Sequence, residues 1–254
     1  MPYEREMEVC RRAASVAGEI ALRYHRSGLT PEEKDDLSPV TIADRECERA
    51  IASLLTEVFP EDGLLGEEGA ARESRSGRRW IIDPIDGTRD FVRGNHLFAN
   101  LIALEAGGEV VAGVANFPAL GALYLAGKGH GAWRDGVRLQ VAETASPSKA
   151  VLCYQGLNNV APAMRGTLLD WFSQFWAVRS MGGALDASFV AEGQADIWIE
   201  HGAKAWDLAP LKILVEEAGG RYFNFDGGSS IYAGNCVCTN PNLEAVVRRF
   251  FGLL

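Results

Sequence analysis

The sequence predicts a mixed α/β protein that is α+β in its first half and α/β in its second half. Two amphipathic patterns come first, and short apolar runs separated by turn signals follow after Gly63. Beyond residue 150, apolar strands alternate with helices, which is typical of α/β topology. The 254 residues are 47% hydrophobic, enough for one large core, so we expect a single unit over residues 1–254.

Two helices open the chain. Residues 3–26 place small apolar side chains on one face at helical spacing, which predicts a long amphipathic helix. Residues 28–39 then form a polar loop that contains proline. Thr41 and Asp44 have the spacing of a capping box, and they predict a second helix that ends at Phe59-Pro60.

Strand patterns and turn signals alternate after the second helix. Gly107-Gly108 and Asp135-Gly136 predict hairpin turns. We expect strands near residues 78–83, 97–105, 109–117, 121–126, 150–154, 175–178, 195–199 and 236–239. We expect helices near residues 162–172, 183–192, 206–218 and 241–251. The stretch Ser146–Ser148 marks a seam between two lobes.

Bulk composition excludes several classes of partner. The formal net charge of −9 argues against a general surface for nucleic acid or for an anionic membrane. Five cysteines without a C-x-x-C pair indicate reduced thiols in a cytoplasmic protein. The acidic residues 1–8 do not resemble a signal peptide, and no apolar run is long enough to cross a bilayer. We therefore expect a cytoplasmic protein with no nucleic-acid or membrane partner.

The most informative segment is Trp80–Thr88, with the sequence W-I-I-D-P-I-D-G-T. Asp83 and Asp86 supply two carboxylates for a hard cation such as Mg²⁺, and the Ile85 carbonyl oxygen lies between them in sequence. Gly87 lets the backbone approach a phosphate closely, and a helix that begins there would direct free N–H groups at the anion. The segment therefore suggests a metal-dependent phosphate site.

The same segment has a purely structural alternative. Asp-Pro and Asp-Gly are common turn dipeptides, so taken alone it is equally consistent with a plain turn after a strand. In the chemical interpretation, the hydroxyl of Thr88 would orient a water molecule. The choice between the two depends on whether other acids converge on the segment.

Three further acids lie at the ends of predicted elements. Glu67 lies in a G-E-E-G turn after a short apolar run, Asp44 at the start of the second helix, and Asp207 in the W-D-L-A-P sequence that begins a later helix. Singly, each has an ordinary interpretation as a solvated turn, a helix cap or a helix-dipole acid. Together, the four acid-bearing elements predict a shared pocket.

These motifs resemble the inositol monophosphatase family. The resemblance rests on G-E-E at 66–68, D-P-I-D-G-T at 83–88 and W-D at 206–207, with T-x-x-D upstream at 41–44. It runs from about residue 34 to the C-terminus. It implies a Mg²⁺-dependent, lithium-sensitive phosphomonoesterase with two or three Mg²⁺ ions. It also implies a layered α/β/α/β/α sandwich and a homodimer.

The resemblance also implies roles for individual residues. The metal ligands would be Glu67, Asp83, the Ile85 carbonyl, Asp86 and Asp207. Gly87 and Thr88 would bind phosphate through backbone N–H groups, and Thr88 with Glu67 would activate the attacking water, with Asp44 helping through water. Lys34 falls near a loop lysine of the family. Residues 1–146 would form the metal and phosphate lobe, and 147–254 the substrate lobe.

The identity of the ester stays open between branches. The run R-S-M-G-G-A at 179–184 and the spacing from Glu200 to Asp207 resemble inositol phosphatases, which implies substrate contacts at Gly182, Gly183, Ala184, Glu200 and Asp207. Ser38–Thr41 and Asp90–Gly94 resemble histidinol-phosphate phosphatases, which usually carry Asp where Gly183 stands. We favour inositol-1-phosphate, with histidinol phosphate as the alternative. A 3'(2'),5'-bisphosphate nucleotidase, or a relative that binds metal or phosphate without turnover, is less favoured.

Overall fold

The computed structural model describes residues 2–25, 32–33, 39–155 and 164–254. The helices in these residues are α1 (Glu4–His25), α2 (Ile42–Val58), α3 (Thr88–Val92), α4 (Arg165–Phe172), α5 (Gly183–Ala191), α6 (Ala205–Glu217) and α7 (Glu244–Phe250). The first eight strands are β1 (Glu32–Glu33), β2 (Pro39–Val40), β3 (Gly63–Gly66), β4 (Ala71–Arg72), β5 (Arg78–Asp86), β6 (Ala99–Ala106), β7 (Glu109–Phe117) and β8 (Ala122–Gly127). The remaining strands are β9 (Gly131–Arg134), β10 (Val137–Arg138), β11 (Val151–Tyr154), β12 (Ala177–Arg179), β13 (Ile197–His201), β14 (Arg221–Phe223) and β15 (Asn235–Thr239).

Two sheets organise the molecule. The larger has eight strands in the order β10-β9-β8-β7-β6-β5-β3-β4, and the smaller has five in the order β12-β11-β13-β15-β14. Neighbours in the larger sheet are antiparallel except for β3 and β5, which are parallel. In the smaller sheet β11 is parallel to both β12 and β13. The carboxyl ends of β3 and β5 therefore lie at the same edge.

The helices cover and separate these sheets. Helices α1 and α2 pack on one face of the larger sheet, where Ile51 contacts a core that includes Trp80. Helices α5 and α6 fill the space between the sheets, where Leu208 and Trp198 share a second core. Helices α4 and α7 cover the outer face of the smaller sheet, with the ring centroids of Trp171 and Phe250 4.0 Å apart. This order of layers confirms the α/β/α/β/α sandwich.

The local signals of the first half are confirmed. The Thr41 hydroxyl accepts a bond of 3.1 Å from the N–H of Ala43, and Asp44 accepts a bond of 2.8 Å from the N–H of Thr41, as a capping box requires. The hairpin turn at Asp135-Gly136 has positive φ at both residues. The predicted loop at residues 28–39 overlaps the two-residue strands β1 and β2. No strand was predicted at β14, because three residues are too few to show an alternating pattern. Pairing with β15 makes that segment a strand.

The cysteines agree with the prediction of reduced thiols. All five cysteines are free and buried. Among the described residues, none of the helices combines the length and the apolar character needed to cross a bilayer.

Candidate active site

The site is built around a β-bulge at the end of β5. Asp83 pairs with Leu101 of β6 and Asp86 pairs with Ala99, so β5 carries one extra residue between these pairs. In a regular strand, residues three apart point to opposite faces of the sheet. The extra residue cancels that alternation, and a carboxylate oxygen of Asp83 lies within 4.8 Å of one on Asp86. The bulge therefore converts two strand acids into a pair.

Two buried asparagines hold this bulge in place. The side-chain amide of Asn100 donates to the Pro84 carbonyl at 2.6 Å. Asn116 donates to the Asn100 side-chain oxygen at 3.0 Å and to the Ala14 carbonyl of α1 at 2.9 Å. Buried polar groups need such partners, so the chain of amides ties the bulge to the first helix layer.

The remaining acids reach the bulge from other layers. Asp207 lies in the first turn of α6, where its carboxylate accepts a bond of 2.6 Å from the Lys204 N–H. An oxygen of Asp207 lies within 4.8 Å of Asp83 and Asp86. Glu67 follows β3, and its N–H donates to the Ile82 carbonyl at 3.1 Å. All four acids line one cavity of about 490 Å³.

Burial and mutual repulsion raise the pKa values of the three aspartates of this cluster. Burial, and then the charges of Glu67, Asp86 and Asp207, hold the pKa of Asp83 well above its ordinary range. Burial, followed by the charges of Asp207 and Glu67, raises the pKa of Asp86 to about 7. Burial raises the pKa of Asp207 to about 6. The three aspartates therefore lie in surroundings that do not neutralise their negative charge.

The donor set fits a hard divalent cation. Every side-chain donor in the cluster is a carboxylate oxygen, the kind that Mg²⁺ prefers. One oxygen of Asp83, Oδ1, is buried and has no hydrogen-bond partner among the described residues. A buried acceptor without a partner is costly, and a bound cation would satisfy it.

A glycine turn lies beside the acids. Gly87 precedes α3 with φ of +81°, and a Cβ at this position would lie 2.8 Å from the Leu97 carbonyl oxygen. Both observations disfavour a side chain at this position. Gly87 and Thr88 line the same cavity as the acids.

Thr88 connects the bulge to α2. Its hydroxyl oxygen lies 3.1 Å from the Ile85 carbonyl and 3.4 Å from an oxygen of Asp44, so its single proton can be donated to either. The other oxygen of Asp44 caps α2, and burial raises the pKa of Asp44 to about 6. Asp44 is thus both the cap of α2 and a neighbour of the site. Its interpretation as a helix cap and its interpretation as a site residue are therefore compatible.

The second half of the chain forms the opposite wall. Gly182 and Gly183 line the cavity at the start of α5. Glu200 lies behind Gly183, where a Cβ would be 3.1 Å from its Oε2 atom. Burial, and then the charges of Asp207 and Asp86, hold the pKa of Glu200 well above its ordinary range. Ala184, the next residue of α5, is not among the residues that line the cavity.

Most of the residues chosen from sequence come together. Those that line the cavity are Glu67, Asp83, Ile85, Asp86, Gly87, Thr88, Gly182, Gly183 and Asp207. Asp44 lies behind Thr88, Glu200 lies behind Gly183, and Ala184 follows Gly183 in α5. Lys34 lies outside the described residues.

Sequence reasoning missed part of the lining. Arg89, Asn95, Leu97 and Gln155 also face the cavity. Arg89 is the one cation among the described lining residues, and its place directly after the D-P-I-D-G-T motif was a usable signal. Gln155 follows β11, and its position at the carboxyl end of a parallel strand was a second signal. Nothing in the local pattern of Leu97 pointed to the site.

Comparison with known proteins identifies the group to which the chain belongs. The sequence matches the inositol monophosphatase family over residues 3–250. It is 40% identical to a histidinol-phosphatase of Mycobacterium tuberculosis over 88% of each chain, and 39% identical to an inositol-1-monophosphatase of Mesorhizobium japonicum over 82% of each. The crystal structure of extragenic suppressor protein suhB from Bartonella henselae superimposes with a TM-score of 0.90, at 30% identity, over 98% of each chain.

The layered fold and these relatives define a phosphoric monoester hydrolase. Within that class, the chain belongs to the inositol monophosphatase family, as its motifs predicted. Its relatives include both histidinol-phosphatases and inositol-1-monophosphatases, the two branches that the sequence resembled.

Proposed function

We propose that this chain hydrolyses a small phosphate monoester to an alcohol and inorganic phosphate in a reaction that depends on Mg²⁺. The convergence of Asp83, Asp86 and Asp207 oxygens within 4.8 Å, beside the Gly87–Thr88 turn, is the observation that carries the proposal. A cation site beside an anion site in one cavity is what a metal-assisted phosphatase requires.

Two or three Mg²⁺ ions would be held by Glu67, Asp83, the Ile85 carbonyl, Asp86 and Asp207. Bound Mg²⁺ supplies positive charge that acidifies water and stabilises the phosphoryl group and the leaving oxygen. The chain itself positions the reactants, which accounts for most of the catalysis of phosphoryl transfer.

Each remaining group then has a defined task. The N–H groups of Gly87 and Thr88 hold phosphate oxygens. Because the Thr88 hydroxyl donates its proton to Ile85 or Asp44, its oxygen is left as an acceptor that orients the attacking water. Glu67 takes the proton of that water as the general base. No covalent intermediate on the protein is needed.

We propose histidinol phosphate as the preferred substrate and inositol-1-phosphate as the second candidate. Histidinol phosphate carries an ammonium group, and the cavity lining includes one acid outside the proposed metal ligands. Asp90 lines the cavity and Glu200 lies behind Gly183. The carboxylate of Asp90 would pair with the ammonium group, whereas inositol-1-phosphate offers only hydroxyls. Histidinol-phosphatases at 40% and 38% identity also support this order.

One observation favours inositol-1-phosphate instead. Gly183 stands where histidinol-phosphate phosphatases usually carry Asp, so one expected contact to the amine is missing. Glu200 can accept hydrogen bonds from hydroxyls as well as from an ammonium group. The second candidate is therefore tested alongside the first.

The test is a phosphate-release assay titrated with Mg²⁺. Histidinol phosphate, inositol-1-phosphate and a 3',5'-nucleoside bisphosphate are compared by kcat/KM, with EDTA as the metal-free control. We expect release only with Mg²⁺ and the highest kcat/KM for histidinol phosphate. A higher value for inositol-1-phosphate would reverse the order of substrates, and no release from any ester would reject the phosphatase. Cytoplasmic location and a homodimer stay predictions.

A further inference from the structure

Glu48 is a buried acid that none of the steps above uses. It lies on α2 one helical turn after Asp44, and its exposed fraction is 4%. Its carboxylate accepts a bond of 2.8 Å from the N–H of Glu68 and one of 2.7 Å from the N–H of Ala70. Hydrogen bonds from N–H groups to a buried carboxylate are among the stronger ones in proteins.

These two N–H groups belong to the turn Gly66–Ala70, which carries Glu67. The N–H of Gly66 donates to the Ala70 carbonyl at 2.7 Å and closes the turn. The N–H of Glu67 donates to Ile82 of β5. The turn is thus attached to the sheet on one side and to Glu48 on the other, and these attachments define its orientation.

The packing around Glu48 leaves little freedom. A Cβ at Gly66 would lie 2.3 Å from Oε2 of Glu48, so the carboxylate occupies the space that a side chain would need. Burial, against the effect of its two N–H donors, raises the pKa of Glu48. Keeping an acid in such surroundings costs free energy, which is offset only if both of its hydrogen bonds form.

We propose that Glu48 is a positioning residue for Mg²⁺: it holds the Gly66–Ala70 turn so that the Glu67 carboxylate faces the cavity. The inference rests on the proposed function, since it takes Glu67 to be a metal ligand. Helix α2 then supports the site at two points one turn apart, through Asp44 to Thr88 and through Glu48 to the turn that carries Glu67.

Glu48→Gln tests this directly. Glutamine keeps the size of the side chain but replaces one acceptor oxygen with an NH₂ donor, which then faces a backbone donor. We measure the Mg²⁺ affinity of the metal-free, full-length protein by titration calorimetry. Loss of such a supporting contact is expected to weaken Mg²⁺ binding by about 10- to 100-fold. The kcat should fall, while the KM for the ester stays within about twofold, because the phosphate turn at Gly87 belongs to another element.

Glu217→Gln is the matched control. Glu217 also accepts two backbone N–H bonds, from Gly129 at 3.0 Å and from Gly131 at 2.8 Å. It ends α6, about 15 Å along the helix axis from Asp207 at 1.5 Å per residue. We expect this variant to bind Mg²⁺ as tightly as the wild type, even if it unfolds more readily.

A double-mutant cycle separates positioning from a general loss of structure. If Glu48 acts through Glu67, then Glu48→Gln in a Glu67→Ala background should not weaken Mg²⁺ binding further. An additive loss, or a Glu48→Gln affinity equal to that of the control, would overturn the proposal. If Glu48→Gln does not fold, Glu48→Asp is measured instead, because its shorter side chain cannot reach both N–H groups. Wild-type affinity of Glu48→Asp for Mg²⁺ would contradict the inference.

The two hypotheses fail in different ways. A wild-type protein that releases phosphate from no ester removes the proposed function. Calorimetry with Mg²⁺ alone still measures whether Glu48 supports the metal site, because it does not depend on turnover.

Discussion

A carboxylate oxygen of Asp83 lies within 4.8 Å of one of Asp207, although Asp83 lies near the end of a strand of the large sheet and Asp207 in the first turn of a helix of the middle layer. Burial first, and then the charges of Glu67, Asp86 and Asp207, favour the neutral form of Asp83 and raise its pKa. The proximity of Asp83 and Asp207 joins the two halves of the chain at the site. The acids form a cluster only when the large sheet and the middle helix layer are packed together.

Asp83→Asn and Asp207→Asn should each abolish phosphate release while the fold persists. Each removes a carboxylate that Mg²⁺ needs but keeps the size of the side chain and an acceptor oxygen. Each also removes a buried acid that repels its neighbours, so thermal unfolding in EDTA should occur at a higher temperature than in the wild type. Phosphate release and calorimetric unfolding are measured side by side. Unchanged turnover in both variants would refute the assigned site.

Gly87→Ala should destabilise the protein by about 1–3 kcal/mol and weaken phosphate binding. Its φ of +81° is unfavourable for alanine, and the added Cβ would lie 2.8 Å from the Leu97 carbonyl. Gly94→Ala is the control, because its φ is +73° but a Cβ there meets nothing within 4 Å. Urea unfolding of both variants separates the loss of stability caused by the contact with Leu97 from the loss caused by backbone strain. Equal losses would show that the contact with Leu97 contributes nothing.

Asn116→Ala should lower the free energy of unfolding by about 1–3 kcal/mol, because it leaves two buried acceptors without a donor. These acceptors are the Asn100 side-chain oxygen and the Ala14 carbonyl. Asn242→Ala removes an exposed amide bonded to the Glu143 carbonyl at 2.8 Å, and should change stability by less than about 0.5 kcal/mol. Denaturant titrations compare the two. A loss for Asn116→Ala as small as that of the control would argue against a buried amide chain that supports the bulge.

Asp186 should make stability depend on pH. It is fully buried behind the Met181–Gly183 segment, where it accepts a bond of 3.2 Å from the Met181 N–H, and burial raises its pKa to about 7. The folded state therefore holds a proton that the unfolded state releases near its ordinary pKa of 3.8. Between these values the folded state binds more protons, so this contribution to the free energy of unfolding decreases as pH rises from about 4 to about 7.

Asp186→Asn removes that titration and keeps an acceptor for Met181. Its unfolding free energy in EDTA should depend less steeply on pH than that of the wild type between pH 4 and 7, and at pH 8 the variant should be the more stable. Urea unfolding across this range is the measurement. Parallel pH profiles for variant and wild type would exclude Asp186 as the titrating group.

Several features were readable from local sequence because their causes are local. The capping box of α2 depends on Thr41 and Asp44, which are three residues apart. The hairpin at Asp135-Gly136 depends on two adjacent residues that tolerate positive φ. The motifs also identified the acids, since carboxylates at strand ends and helix starts are chemically distinctive. The strand β14 had no such signal, because only its pairing with β15 defines it.

By itself, the sequence determined which side chains are available for chemistry and where the chain turns. Only the tertiary structure decided how they meet: the bulge that pairs Asp83 with Asp86, the approach of Asp207 from the middle layer, and the support of the Glu67 turn by Glu48. The reason is physical. Local conformation depends on residues within a few positions, whereas a cluster of buried acids depends on packing between layers whose contacts are distant in sequence.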